Sequence, residues 1–223
     1  MEKIILIETS TALCSVALAE DGAITAYRES SAVKAHASLT AVFVQEVLQE
    51  RGLKLEDCDA VCVSMGPGSY TGLRVGVSTA KGLCFGSGKP LIAVGTLDTL
   101  VAQAEDDAKY IVPMIDARRM EVYSAVFEDG RQITETSPAI IDESSFAEYL
   151  EQGPVLFIGD GAGKCADVIK HPNAQFCQCH PKASAMLAPA LKAYKEKRFE
   201  DVAYFEPFYL KEFVATVSKK KLF

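Results

Sequence analysis

Two short segments carry groups suited to chemistry on a phosphorylated ligand. The first, 8–10, follows an apolar run, and its hydroxyls and backbone N–H groups could hold a phosphate in a turn. The carboxylate of Glu8 could hold a metal-bound water. The second, 159–163, is rich in glycine and suits close approach of a nucleotide to a helix start, although a tight strand-to-helix turn explains it equally well. The candidate nucleotide residues are Glu8, Thr9, Ser10, Gly159, Gly161 and Gly163.

Residues for acid–base or nucleophilic catalysis do not form a recognisable group. The only histidines are His36, His171 and His180, and no two of them have the i, i+4 spacing that places two metal ligands on one helix face. Ser69 follows a Gly-Pro-Gly turn but does not sit in the G-x-S-x-G context of a hydrolase nucleophile. We therefore predict no catalytic residue.

The cysteines raise a separate question about metal binding. Cys177 and Cys179 precede His180, and Cys165 lies nearby in the sequence. This spacing does not follow a standard zinc pattern, so we predict no metal site. Whether this group binds a metal stays open at the level of sequence.

The bulk properties are those of an ordinary globular protein that does not hold nucleic acid by its own charge. The chain has 223 residues, 49% of them hydrophobic, and a net charge of −7. Nucleic-acid binding by electrostatics needs a basic face, which this balance disfavours. The first apolar run has four residues, too few for a signal peptide or a membrane span, so we expect a cytoplasmic protein with no membrane partner.

The elements that must position these residues repeat along the chain. In each half, apolar patterning and turn residues predict three strands, then helix, strand and helix. Glu8 and Asp116 each end a first strand and are 108 residues apart, as are the hairpin residues Asp21 and Asp129. This equal spacing indicates duplication. In the second half, the third strand is expected at 132–136 and the helices at 144–152, 162–170 and 183–197.

A duplicated βββαβα order is the layout of the actin-like, sugar-kinase-like ATPases, the ASKHA fold. We therefore expect an α/β protein with two lobes, 1–105 and 106–223, and a tail from about 206 that packs back on the first lobe. In that layout the turns of two hairpins face each other across a cleft and grip phosphates. The second turn here contains Arg118 and Arg119 but no glycine, which disfavours phosphate binding.

Two predicted helices of the first half, 35–51 and 71–85, carry more apolar surface than a core stripe requires. The second of them follows the turn 66–68, and its small residues, spaced four apart, would let another backbone approach. Either the two helices cover each other on one sheet, or their outer faces form an interface with a partner or a second copy. The candidate interface residues are His36, Leu39, Phe43, Val47, Gly72, Leu73, Gly76, Val77, Ala80 and Leu83.

The chain resembles the TsaB family, also called YeaZ, a bacterial subunit of the machinery that makes threonylcarbamoyladenosine beside the tRNA anticodon. The resemblance covers nearly the whole chain, and its most specific part is 66–76. The segments that carry it are 4–10, 36–39, 66–76, 116–123 and 207–210.

The resemblance implies an inactive paralogue of the catalytic subunit TsaD. TsaD holds a metal through an H-x-x-x-H pair, and Thr96 and Leu100 stand at the matching positions here. It also implies pairing with a TsaD-like subunit through the helices of the first lobe, a homodimer in isolation, and a TsaE-like ATPase in a larger complex. Contact with tRNA would be only indirect. No cofactor is firmly implied, although a vestigial or complex-dependent ATP or ADP site stays open.

Two functions therefore compete. The first is an accessory subunit that supports threonylcarbamoylation of adenosine 37 in tRNAs reading codons that begin with A. For this function, a glutamate at Gly76 or Ala80 is expected to abolish the heterodimer and leave the monomer folded. The alternative is a stand-alone ATPase or small-molecule kinase, favoured by 8–10 and 159–163 and disfavoured by the glycine-free turn at Arg118.

Overall fold

The first half of the chain forms one sheet with its helices. The computed structural model describes residues 2–33, 35–105 and 108–211. The predicted tail beyond Lys211 lies outside the described residues. The elements of the first half are β1 (Lys3–Glu8), β2 (Cys14–Glu20), β3 (Ala23–Ser30), α1 (His36–Glu50), β4 (Ala60–Gly66), α2 (Tyr70–Ser87), β5 (Leu91–Gly95) and α3 (Thr96–Gln103).

The second half forms a second sheet with shorter helices. A 3-10 turn, Ala183–Met186, precedes its last helix. The elements are β6 (Tyr110–Asp116), β7 (Glu121–Ser124), β8 (Phe127–Glu128), β9 (Arg131–Gln132), β10 (Ser137–Ile140), α4 (Ala147–Leu150), β11 (Val155–Gly159), α5 (Ala162–Cys165), β12 (Ala174–Gln178) and α6 (Leu187–Lys195).

The two sheets have the same strand topology along their main paths. The first has the order β3–β2–β1–β4–β5, with β1 antiparallel to β2 and parallel to β4. The main path of the second is β10–β7–β6–β11–β12, with β6 antiparallel to β7 and parallel to β11. The predicted duplication and the two-sheet actin-like architecture are therefore confirmed.

The hairpin turns of the two halves also have the same backbone conformation. Asp21 and Gly22 have φ of 51° and 80°, and Asp129 and Gly130 have φ of 49° and 69°. Two successive residues with positive φ match the right-handed twist of the flanking strands, which is why Asp-Gly is favoured at such turns. The aspartates 108 residues apart therefore occupy equivalent positions.

The two faces of the first sheet are covered by different parts of the chain. Ile5 and Val63 pack beneath α1 and α2. Ile4 and Leu6 face the opposite way and pack against Ala190 of α6. The segment that forms α6 follows the second sheet in sequence but buries the first sheet in space, so a simple division of the chain near residue 105 does not describe the packing. No helix in the described part of the chain is long and apolar enough to cross a membrane.

Several boundaries in the second half differ from the sequence prediction. The strand that pairs with β7 is β10, whereas the third strand expected at 132–136 contributes only residue 132 to the small β8–β9 hairpin. The helix expected over 162–170 is reduced to α5, and the strand β12 was not expected at all. These differences leave the core strands β6 and β11 in place.

Candidate functional site

The inner faces of α1 and α2 form one core with the first sheet. Phe43 and Val47 of α1 and Val77 and Ala80 of α2 are all at most 8% exposed and belong to this core. At the start of α2, the Ser69 side chain accepts a hydrogen bond from the Gly72 N–H at 3.4 Å, which caps the helix. The two helices therefore have a fixed orientation on the sheet.

Most of the predicted interface residues are buried in the core of this chain and cannot contact a partner, so their assignment to an interface is wrong. Their positions follow the apolar stripe of each helix, and that stripe packs on the sheet. Leu39 and Leu83 are partly buried at the edge of the core, and His36 Nε2 lies 2.9 Å from the carbonyl of Thr11. The buried members are Phe43, Val47, Gly72, Leu73, Gly76, Val77 and Ala80.

Gly72 and Gly76 of α2 accommodate the turn after β1, and not a second protein. A Cβ atom at Gly72 would lie 2.0 Å from the carbonyl oxygen of Thr9, and one at Gly76 would lie 2.2 Å from Thr9 Oγ1. Thr9 Oγ1 also donates to the Gly72 carbonyl at 2.9 Å. A glutamate at Gly76 or Ala80 would consequently disrupt the core, so neither substitution tests an interface.

The turn before α2 is closed in the same way. A Cβ at Gly68 would lie 2.4 Å from the carbonyl oxygen of Ser10, which accepts a hydrogen bond from the Ser69 N–H at 2.7 Å. Gly66 has a φ of 111°, and a Cβ there would lie 2.7 Å from the carbonyl oxygen of Phe208. The close backbone approach indicated by these glycines is made by two segments of this chain.

The outward faces of α1 and α2 form a different surface, which we call the outer α1/α2 surface. Phe85 is 86% exposed and Val42 is 42% exposed. Gly82 and Gly86 have open space where a Cβ would lie, so another backbone can approach them. The exposed residues that define the surface, all uncharged, are Ala37, Ser38, Ala41, Val42, Gln45, Gln49, Thr71, Ser78, Gly82, Phe85 and Gly86.

Charged groups lie at the flanks of this surface. On α1, Glu46 and Glu50 both bond to Arg28 of β3, at 2.9 and 2.8 Å. On α2, Lys81 donates to the carbonyls of residues 203 and 205, at 3.1 and 2.9 Å. Because these charges are engaged at the edges, the centre of the surface can be desolvated without burying an ion. The uncharged centre of this surface was visible in the sequence as uncharged residues on the helix faces opposite the apolar stripes.

The C-terminal segment lines one edge of α2. The Phe208 N–H donates to the Met65 carbonyl at 2.7 Å. The rings of Tyr70 and Tyr209 stack with centroids 4.9 Å apart, and the Arg74 guanidinium lies 5.9 and 5.8 Å from their centroids. Lys211 bonds to Glu121 of the second sheet. The segment therefore connects α2 with both sheets.

The candidate phosphate turn after β1 is buried. Glu8, Thr9 and Ser10 have no exposed surface. Glu8 Oε1 accepts hydrogen bonds from the Ser10 N–H at 2.7 Å and from the Ser64 hydroxyl at 2.9 Å. Burial raises the pKa of Glu8 to about 7, against the opposing effect of these hydrogen bonds. A buried carboxyl with this pKa is poorly suited to hold a metal-bound water.

The candidate nucleotide loop after β11 is likewise used for internal packing. A Cβ at Gly159 would lie 2.3 Å from the Met114 carbonyl oxygen, and one at Gly161 would lie 2.9 Å from a Val122 methyl carbon. The Gly163 N–H donates to Gln178 Oε1 at 2.6 Å. The glycines of this loop thus serve the strand-to-helix turn that the sequence left as an alternative.

The glycine-free turn of the second half exposes Arg118 and Arg119. Both arginines have positive φ, 72° and 51°, and the Arg118 N–H donates to Asp116 Oδ1 at 2.8 Å. Lys164 bonds to the same carboxylate and to the Glu121 carbonyl. The turn therefore packs around Asp116 and Lys164, and it does not present the row of backbone N–H groups that would bind a phosphate.

Thr96 and Leu100, where the resemblance would place a pair of metal-binding histidines, are buried. Thr96 begins α3 and Leu100 lies one turn later, both with no exposed surface. A hydroxyl and an alkyl group offer no nitrogen ligand. Within 2–33, 35–105 and 108–211, no group of three or more His, Cys, Asp or Glu side chains is arranged to hold a metal, and this includes the cysteines near His180.

A cavity of about 400 Å³ lies among β5, α3, α6 and the β8–β9 hairpin. Val101, Phe127 and Pro189 give it apolar walls, and Asp98 and Lys192 add charge. None of the six predicted nucleotide residues lines it. Burial raises the pKa of Asp98, and Arg198 and Lys192 oppose this effect.

The two sheets share one strand order, and the turns that could hold phosphate are filled by residues of the chain itself. The fold is that of an actin-like protein of the ASKHA class. The chain matches the family model of TsaD, tRNA N6-adenosine threonylcarbamoyltransferase, over residues 29–219. It is 33% identical to the tRNA threonylcarbamoyladenosine biosynthesis protein TsaB of Escherichia coli K12, over 96% of each chain. It is 31% identical to the Haemophilus influenzae protein of that name, over 98% of this chain and 96% of the relative. YeaZ from Pseudomonas aeruginosa superposes with a TM-score of 0.82 at 28% identity, covering 94% of this chain and 100% of that one. The chain belongs to the TsaB family.

Proposed function

We propose that this protein is the partner-binding subunit that supports threonylcarbamoylation of adenosine 37 in tRNAs reading codons that begin with A. It pairs with a TsaD-like catalytic subunit through the outer α1/α2 surface. That surface carries the proposal, because it combines an exposed Phe85 with open glycines and has no charge at its centre. The names of the Escherichia coli and Haemophilus influenzae relatives support the pathway.

The subunit has no catalytic role of its own in this proposal. Thr96 and Leu100 are buried and provide no nitrogen ligand, which supports a protein that keeps the fold of its catalytic relative without the metal. The TsaD-like subunit then supplies the chemistry, and this chain supplies a rigid helical surface. We place the complex in the cytoplasm.

The same surface would also support self-association of the isolated subunit. Two copies of an uncharged helical face can pair by a two-fold axis, and the catalytic subunit would then compete with the second copy. A TsaE-like ATPase would join the resulting complex through another surface. With a net charge of −7, the chain would contact tRNA only indirectly.

The alternative, a stand-alone ATPase or small-molecule kinase, has less support. The turn 8–10 is packed beneath Gly68 and Gly72, and the glycines of 159–163 contact their own chain. An ATP or ADP site formed with the partner would need other groups. Calorimetry with ATP and Mg²⁺ on the isolated chain tests this alternative, since binding with turnover would favour it over the subunit.

The docking proposal predicts a large effect from one charge at the centre of the surface. Ala41→Glu and Gly82→Glu each place a carboxylate on an exposed helix position. The monomer should stay folded, whereas docking would bury an unpaired charge, so affinity for the TsaD-like subunit of the same organism should fall on the order of 100-fold. Size-exclusion chromatography and calorimetry of the two-subunit mixture measure this loss.

Ala188→Glu is the matched control, because Ala188 is also exposed and helical but lies on α6. It should bind the TsaD-like subunit as the parent does. Full affinity of both Ala41→Glu and Gly82→Glu would contradict the docking surface. Equal loss in all three variants would indicate a general effect of added negative charge.

A further inference from the structure

One pair of thiols near the surface has no part in the proposed function. Cys177 is exposed and Cys179 is partly exposed, whereas the other five cysteines are buried. Cys177 lies in β12, and Cys179 follows the end of that strand. The Cys179 N–H donates to the Gly159 carbonyl at 3.4 Å, which continues the pairing with β11, and residues two apart along a strand point to the same face. The remaining cysteines are Cys14, Cys58, Cys62, Cys84 and Cys165.

The strand that carries this pair is open on one side. In the sheet order of the described residues, β12 is an edge strand with β11 as its neighbour. A small oxidant can therefore reach Cys177 without opening the core. No third metal-ligating side chain joins the pair in the described part of the structure, so a zinc-type site is not available to it.

We propose that Cys177 and Cys179 are a site of reversible oxidation by a hydroperoxide. The Cys177 sulfur attacks the peroxide, whose O–O bond breaks, so that Cys177 becomes a sulfenic acid and the peroxide leaves as an alcohol or as water. The Cys179 thiol then attacks the Cys177 sulfur. An S–S bond forms, the S–O bond breaks, and the hydroxyl leaves as water with the Cys179 proton. A thiol reductant reverses the change through a mixed disulfide.

The surroundings assign the two steps to different thiols. Burial, together with the neighbouring Cys177, raises the pKa of the Cys179 thiol to about 12. A thiol held protonated reacts slowly with reagents in solution, so Cys179 needs an electrophile placed against it. The sulfenic acid of Cys177 is such an electrophile, because it lies two residues away on the same face of the chain.

Closing the disulfide would disturb the loop after β11. In an extended strand, Cα atoms two residues apart are separated by about 6.6 Å. A disulfide needs Cβ atoms about 3.5–4.5 Å apart, whereas the Cβ atoms of two residues on one face of an extended strand also start about 6.6 Å apart, so the chain must contract at Gln178. Gln178 accepts from the Gly163 N–H at 2.6 Å and donates to the Asp160 carbonyl at 3.0 Å. Contraction would weaken these two bonds, which hold the loop 159–163.

The test oxidises the full-length reduced chain with a stoichiometric amount of hydrogen peroxide. We expect the intact mass to fall by about 2 Da, the two hydrogens lost in a disulfide, and to return with a thiol reductant. Alkylation after denaturation should find two fewer thiols, both in the peptide that contains Cys177 and Cys179. A disulfide between two chains, or a stable gain of oxygen without loss of a second thiol, would overturn the proposal.

Serine variants separate the two roles. Cys177→Ser should abolish the reaction. Cys179→Ser should stop it at the Cys177 sulfenic acid, which a cyclic diketone traps. Cys84→Ser, at a buried position of α2, should react as the parent does. Loss of the reaction in Cys84→Ser would assign the oxidation to another pair.

Amide hydrogen exchange tests the consequence for the loop. Oxidation should make the Gly163 amide exchange on the order of 10-fold faster, whereas the amides of β1 should not change. Unchanged exchange at Gly163 in the disulfide form would overturn the coupling to Gln178. Both results can be obtained without the TsaD-like subunit, so they are distinct from failure of the docking proposal.

Discussion

Replacing Gly72 with alanine is expected to destabilise the fold by about 3 kcal/mol or more. The new Cβ would lie 2.0 Å from the carbonyl oxygen of Thr9, and a backbone atom cannot move aside as a flexible side chain can. The turn after β1 would have to separate from α2, and the hydrogen bond from Thr9 Oγ1 to the Gly72 carbonyl would be lost with it. The free energy of unfolding in urea measures this cost.

The same substitution ten residues later should have the opposite sign. Gly82 lies in α2 with nothing within 4 Å of a new Cβ. Alanine there removes the conformational freedom of glycine from the unfolded chain and should stabilise the helix by about 1 kcal/mol. If Gly72→Ala and Gly82→Ala had equal stability, the packing of Thr9 against α2 would be contradicted.

This contrast shows what could be predicted from the sequence about α2 and what could not. The helix, whose observed start at Tyr70 is one residue before the predicted one, and its small residues were predictable from local pattern. Which small residues face inward was not, because Gly72 and Gly76 on one side and Gly82 and Gly86 on the other have the same spacing. Only the position of Thr9, fixed by long-range strand pairing, distinguishes the two sides.

The repeated strands were predictable because their signals are local and strong. Asp-Gly at 21–22 and 129–130 favours one turn type, and the flanking runs are apolar. The strand β12 was not predictable, since it is an edge strand whose sequence, Ala174–Gln178, is only partly buried. The strand is recognised only by its parallel pairing with β11, and a local sequence pattern does not reveal such pairing.

The glycine-containing turns after β4 and β11 illustrate a second limit. Glycine at Gly68 or Gly159 does require close approach of another group, as the sequence indicates. The pattern does not reveal whether that group is a ligand or the chain itself. Here the approaching atoms are backbone oxygens of Ser10 and Met114.

The buried carboxyl of Glu8 should dominate the pH dependence of stability near neutrality. Its pKa rises from 4.5 in a solvated state to about 7 in the fold, because burial disfavours the charged form. Between these two pH values the unfolded chain is ionised while the folded chain is protonated. The free energy of unfolding should therefore fall as pH rises, by about 1.4 kcal/mol per unit and about 3 kcal/mol in total.

Glu8→Gln should remove this decline, because glutamine has the same shape and does not ionise. Its side-chain oxygen can still accept from Ser10 and Ser64, so the variant should match the parent near pH 4.5 and exceed it by about 3 kcal/mol at pH 8. Urea unfolding at a series of pH values measures the difference.

Other buried acids such as Asp98 contribute to both profiles and cancel on subtraction. Glu56→Gln, at an exposed position, should leave the profile unchanged. Parallel profiles for Glu8→Gln and the parent would mean that Glu8 is ionised in the fold, and the turn 8–10 would again be a candidate for binding a cation.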